Sequence, residues 1–259
     1  MSTTSIGNRA RAACALTVAL LVAGCQEAVY EKRFGQGDID VYDDLYSATA
    51  VKDTHAWAAG YFGSIYRTTD GGAVWRKLES HTDKSIYGIS FADEQNGWAV
   101  GRRGFIIHTS DGGDTWDVQE TPRKPAQHLF SVHAIDANHA WIVGEWGGRY
   151  ATSDGGKTWE DRSFLVDETH PSFAYLTEFE LEKFRQGERI YDDLFFNDIL
   201  FVDANRGWMA GEYGKIYRTE DGGANWTAAE IIGEVRLDPI EFPKLEKEIP
   251  RELWPQLFK

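Results

Sequence analysis

Apolar and polar residues alternate in short runs broken by glycine: Tyr46 to Val51, His55 to Ala59, Ser64 to Thr68 and Val74 to Leu78. A period of two predicts half-buried strands, and glycine at such short intervals cannot sustain a helix. The whole pattern then returns. Trp57-Ala-Ala-Gly60-Tyr-Phe-Gly63-Ser-Ile-Tyr66-Arg-Thr68-Thr-Asp70-Gly-Gly72-Ala-Val-Trp75 has counterparts from Trp98 to Trp116, Trp141 to Trp159 and Trp208 to Trp226, with the two Trp always 18 apart. The first Trp recurs in steps of 41, 43 and 67, so the third step holds about 25 extra residues. A repeat of about 40 residues with four strands predicts a β-propeller blade, whose faces are buried only against its neighbours. The expected fold is therefore all-β, with four four-stranded units at about 41–78, 86–119, 129–162 and 194–229.

Every copy carries Thr-x-Asp-x-Gly-x-x-Trp between its third and fourth strands, with the acids at Asp70, Asp111, Asp154 and Asp221. A carboxylate in a glycine-rich turn accepts hydrogen bonds from turn amides, and the paired glycines tolerate positive φ. Four equivalent acids favour this structural reading over a calcium ligand or a catalytic acid. The motif resembles the Asp-box of BNR and sialidase-type propellers.

The longer pattern, Trp-x-x-Gly-x-x-Gly through to Asp-Gly-Gly-x-x-Trp, resembles the photosystem II stability and assembly factor family over roughly residues 41 to 230. That resemblance implies a seven-bladed ring and a non-enzymatic factor that binds a membrane-protein complex or its unassembled subunit. The alternative is a glycan-binding or sialidase-like glycoside hydrolase. Leu45-Tyr46, Leu129-Phe130 and Leu194-Phe195 open the innermost strands of three units, and Leu257-Phe258 echoes them at the chain end. A fifth unit is expected to start at 257, as in a fragment or interrupted gene, in preference to a four-bladed ring or closure by oligomerisation.

Most propeller sites lie on the face that carries the loops between second and third strands. Here these are Gly-x-x-Gly turns whose inner residues do not repeat: Tyr61-Phe62, Arg102-Arg103, Glu145-Trp146 and Glu212-Tyr213. Packing residues recur in each unit, whereas recognition residues must differ, so these eight are the candidate partner-binding set. Aromatic and Arg side chains are also enriched at interface hot spots. The long links 160–193 and 227–256 share this face, and the apolar residues Leu176, Phe179, Leu181 and Phe184 predict one side of a short helix in the first.

Charge narrows the partners. Twenty-seven Lys and Arg stand against 41 Asp and Glu, a net charge of -14, which excludes nucleic acid as an expected partner. The composition, 42% hydrophobic and 26% charged, is that of a folded globular protein. Residues 1–24 carry Arg9, Arg11 and an apolar run that is too short to span a membrane, and they end at Leu21-Val22-Ala23-Gly24-Cys25. This reads as a lipoprotein signal peptide with Cys25 as the lipidation site. Residues 25–40 then form a linker, and 41–259 the propeller. Gln26 matches the pattern of outer-membrane retention, so the expected location is the bacterial envelope, lipid-anchored and facing the periplasm. Cleavage would leave 25 Lys and Arg against 41 acids, or -16, with Cys25 as the sole Cys. No disulfide, metal site or cofactor is expected, and no catalytic residues: the His lack metal-ligand spacing and no nucleophile elbow occurs.

Overall fold

The computed structural model describes residues 43–229. The expectations for Cys25, the leader, the linker and a fifth unit at 257 lie outside them. The described residues form four antiparallel sheets of four strands each, every sheet a meander in chain order. Blade 1 comprises β1 (Leu45–Val51), β2 (His55–Gly60), β3 (Ile65–Thr68) and β4 (Arg76–Leu78). Blade 2 comprises β5 (Ile86–Phe91), β6 (Gly97–Gly101), β7 (Ile106–Thr109) and β8 (Asp117–Gln119). Blade 3 comprises β9 (Leu129–Ala134), β10 (Ala140–Gly144), β11 (Arg149–Thr152) and β12 (Glu160–Asp161). Blade 4 comprises β13 (Phe196–Phe201), β14 (Gly207–Gly211), β15 (Ile216–Thr219) and β16 (Thr227–Ala228). The first strands of successive blades run side by side, β1 by β5, β5 by β9 and β9 by β13, and so line the inside of the arc.

Alternation along each strand gives every blade two faces. The first repeat Trp lies on the face turned to the next blade. Trp57 packs with Ile65 against Ile89, Phe91 and Ile107 of blade 2. Trp98 and Ile106 pack against Val132, Ala134 and Tyr150 of blade 3. Trp141 and Val143 pack against Ile199, Phe201 and Met209 of blade 4. Each junction is a separate apolar core, and burying one such Trp contributes several kcal/mol, on the order of 3 to 5 by truncation.

The Asp-box turns share one hydrogen-bond pattern, with a threonine at its centre. In blade 2 the Thr109 hydroxyl donates to Asp111 Oδ1 (2.8 Å) and accepts from the Gly113 amide (2.9 Å). Asp111 Oδ1 also accepts from the Thr115 amide at 2.8 Å, and Oδ2 from the Thr115 hydroxyl at 2.6 Å. Thr68, Thr152 and Thr219 repeat the arrangement with Asp70, Asp154 and Asp221. This explains a difference from the sequence reading. Strand β4 begins at Arg76 rather than Val74, because the Val74 amide is committed to Asp70 Oδ1.

Within the link 160–193, α1 (Glu178–Arg185) is opened by a capping box: Thr177 accepts from the Glu180 amide, and Glu180 reaches back to the Thr177 amide. Phe184 packs edge-on against Phe173 at 5.2 Å. Phe179, placed on the apolar side in the sequence reading, is instead 70% exposed with Lys183 over its ring.

Candidate partner-binding face

The four Gly-x-x-Gly turns have one geometry. In three of them the residue after the second glycine donates its amide to the first inner residue's carbonyl, from Ser64 to Tyr61, Gly148 to Glu145 and Lys215 to Glu212, all at 3.0 Å, and in all four the first glycine's amide donates to the carbonyl of the residue after the second. The first inner residue is also tied to the chain entering its blade's innermost strand: Tyr61 N–H to Asp44 O, Arg102 to Ser85, Glu145 to His128 and Glu212 to Phe195. That approach accounts for the first glycine, since a Cβ on Gly101 would stand 2.0 Å from the Ser85 carbonyl oxygen.

The second inner residue takes the left-handed conformation every time: Phe62 at φ 50°, Arg103 at 57°, Trp146 at 56° and Tyr213 at 55°. Asn or Gly normally fills such a position, and for other L-residues it costs about 1–2 kcal/mol. Here bulky side chains occupy it in all four blades, and all four are exposed, Tyr213 at 88% and Phe62 at 63%. Strain of this kind persists where it holds a side chain in a required place.

The eight candidates do not all present their polar groups outward. Arg102 and Arg103 are exposed, and among the described residues neither guanidinium is in an ion pair, unlike Arg67, Arg162 and Arg206. Glu145 is half-buried, with its carboxylate accepting from the His128 amide at 2.8 Å. Glu212 is half-buried as well. Trp146 is held from both sides, its carbonyl accepting from Arg123 at 2.8 Å and its ring edge-on to Phe195 at 5.6 Å.

Phe195 belongs to a set that sequence reasoning did not place in the site. Tyr46, Tyr87 and Phe130 occupy the same register at the start of their innermost strands, on the end carrying the Gly-x-x-Gly turns, and Phe195, two residues earlier in blade 4, joins them in space. Their rings follow one another at 5.9, 6.1 and 6.3 Å. With Trp146 they make an aromatic arc across the arc's inner rim, Tyr46 being 50% exposed. The signal was in the repeat for three blades, since an aromatic stands there in each, Ile86-Tyr87 included, whereas blade 4 has Asn197 at that position and supplies Phe195 instead.

A cavity of about 380 Å³ lies on the opposite face, between blades 3 and 4, beside Trp141 and the Asp221 turn. Its acids are engaged: Asp221 in its turn, Asp136 by the amides of Asn138 and His139, and Glu160 by Arg162. Among the described residues no cluster of three or more His, Cys, Asp or Glu is disposed to hold a metal ion.

A family model described as photosynthesis system II assembly factor YCF48 matches residues 73–168, from the end of blade 1 through blade 3. No curated protein matches the chain. Solved structures that resemble it include YCF48 bound to a D1 peptide, at 18% identity over 72% of this chain and 81% of that one, with a TM-score of 0.43. YCF48 from Cyanidioschyzon merolae follows at 17% identity over 74% and 86%, also at 0.43. The GH74 xyloglucanase from Xanthomonas campestris shares the fold at a TM-score of 0.51 and 15% identity, over 77% of this chain and 31% of that one. The chain is thus a β-propeller protein, in which residues 73–168 are similar to the photosystem II assembly factor YCF48 model.

Proposed function

We propose that this protein is a non-enzymatic, envelope-anchored propeller that binds a membrane-protein complex or its unassembled subunit and supports its assembly or stability. The observation that carries this reading is the left-handed position of the four turns, where Phe62, Arg103, Trp146 and Tyr213 stand strained and exposed on one face. The match to the YCF48 model supports the same direction. A face that presents a different pair of side chains from each of four blades suits a macromolecule, whose groups differ from blade to blade. Arg102 and Arg103 give that face a local positive spot in an acidic protein, suited to an acidic segment or exposed carboxylates. Acyl chains on Cys25, each buried CH₂ contributing about 0.8 kcal/mol, would hold the propeller at the bilayer and raise its local concentration near a membrane client.

The hydrolase alternative would need free acids beside a cavity. The acids of the cavity near Trp141 are already bonded within their own turns.

Photo-crosslinking in native membranes tests the reading. A crosslinker at Phe62 or Tyr213 should trap a membrane protein, whereas one at Lys157, in the Asp-box turn of blade 3, should not. Equal trapping from both faces, or from neither, would count against it. The Cys25→Ala variant should leave the membrane fraction; retention there would remove the anchor from the account.

A further inference from the structure

The cavity between blades 3 and 4 lies at a junction whose two counterparts are filled by the chain itself. At the cross-strand neighbour of the first repeat Trp, the four blades carry Arg67, His108, Ala151 and Arg218. Between blades 1 and 2, Arg67 Nη1 donates to Gly112 O at 3.0 Å, and Nη2 pairs with Asp114 at 2.8 Å. Between blades 2 and 3, the His108 ring lies against Trp98 with centroids 4.5 Å apart. Between blades 3 and 4 the corresponding side chain is only the Ala151 methyl, and it lines the cavity of about 380 Å³ together with Trp141, Asp136, Glu160 and Gly222. That volume is within the range of small-molecule sites.

The polar groups around Ala151 are acceptors. Gly222 stands in its turn where Gly112 stands in the second, yet Gly222 O accepts no hydrogen bond among the described residues, whereas Gly112 O accepts from Arg67 and from the Trp57 indole at 2.9 Å. Glu160 bonds Arg162 through Oε2, which leaves Oε1 as an acceptor. Blade 1 has Lys52 and Arg76 at the positions of Asp136 and Glu160, so the wall in blade 3 exchanges two cations for two carboxylates and also lacks the guanidinium beside them. Blade 2 carries the same two acids, as Asp93 and Asp117, but keeps His108. The cavity lining thus sets Asp136, Glu160 and Asp221 against Arg162, beside an indole ring, which is an environment for a cation.

We propose that this cavity binds a guanidinium group, which stands where the Arg67 side chain stands in the first junction. Its N–H groups donate to Gly222 O and Glu160 Oε1, and its plane lies against Trp141. A planar fork of donors suits a carbonyl and a carboxylate together, as Arg67 shows with Gly112 and Asp114, better than an ammonium does. The site is on the Asp-box face and does not depend on the partner-binding reading of the opposite one.

Calorimetric titration of the full chain in detergent tests this with propylguanidinium, with a blocked Gly-Arg-Gly peptide, and with butylammonium as a cation without the fork. Propylguanidinium should bind, and butylammonium should bind about tenfold more weakly, the scale of one lost charge-assisted hydrogen bond. Ala151→Arg supplies the cavity with the chain's own guanidinium, as in blade 1, and should abolish binding. Glu160→Gln should weaken binding roughly fivefold, the scale of an exposed ion pair, at an unchanged melting temperature. Peptide binding weaker than that of propylguanidinium assigns the site to a small solute, and binding at least as tight assigns it to an arginine of a polypeptide. Binding of neither guanidinium compound would overturn the proposal. So would equal binding of butylammonium, or binding indifferent to both Ala151→Arg and Glu160→Gln.

Discussion

Trp57 of blade 1 stacks on Phe91 of blade 2, with ring centroids 3.7 Å apart and planes 7° from parallel. Phe91 in turn meets Trp116 of its own blade edge-on at 6.1 Å. One ring thus joins the first Trp of one repeat to the second Trp of the next. Phe91→Ala should destabilise the fold by about 3–5 kcal/mol, read as a shift in urea midpoint at unchanged slope. Phe91→Leu should recover most of that. A loss under about 1 kcal/mol for the Ala variant would mean that the junction does not carry the fold.

Thr109, not only Asp111, holds the second Asp-box turn together, since its buried hydroxyl serves both the carboxylate and the Gly113 amide. Thr109→Val keeps the shape and leaves that amide without its acceptor, at a cost of about 1–3 kcal/mol. Asp111→Ala should cost a comparable amount. Partner capture by the folded fraction of either variant should match wild type, and a binding defect at unchanged stability would contradict the structural role.

The turns also set an acid limit. Burial raises the Asp111 carboxyl, but hydrogen bonds from the Thr115 hydroxyl and amide and from Thr109 outweigh it and hold the group at about 2, against an ordinary 3.8. Asp70, Asp154 and Asp221 are lowered by the same kind of amide bond, from Val74, Thr158 and Asn225. A lowered carboxylate stabilises the folded state above its unfolded value, and the contribution is lost as pH falls through the folded value. The melting temperature should therefore drop between about pH 4 and pH 2. Asp111→Asn should flatten that drop; superimposable curves for the two proteins would contradict the assignment.

Tyr213 offers the cleanest measure of turn strain, because it is 88% exposed at φ 55°. Tyr213→Gly should raise stability by up to about 1 kcal/mol, whereas Tyr213→Ala keeps the strain and should not. Both should weaken partner capture. Glycine no more stable than alanine would show that the left-handed position holds no strain.

The blades and their Asp-boxes were legible because the residues that build them recur with the period of the fold. Trp57, Trp98 and Trp141 could be assigned to packing from repetition alone. The aromatic arc was not found, although Tyr46, Phe130 and Phe195 had been noticed, because their adjacency arises between strands some 41 to 65 residues apart. The strained turns were hidden for the opposite reason. Positive φ is normally betrayed by Gly or Asn, and Phe62, Arg103, Trp146 and Tyr213 give no such sign. Helix α1 was visible in its apolar spacing, but Phe179 shows that spacing alone does not say which residue the surrounding link covers.

The most direct test of the binding-face account is charge reversal at its unpaired cations. Arg102→Glu with Arg103→Glu touches two exposed side chains that form no ion pair among the described residues. The melting temperature should stay within error of wild type, while affinity for the proposed partner, measured by quantitative recovery from crosslinked membranes, falls at least about tenfold, or about 1.4 kcal/mol. Equal recovery from wild type and variant would contradict the account and place the binding surface elsewhere on the molecule.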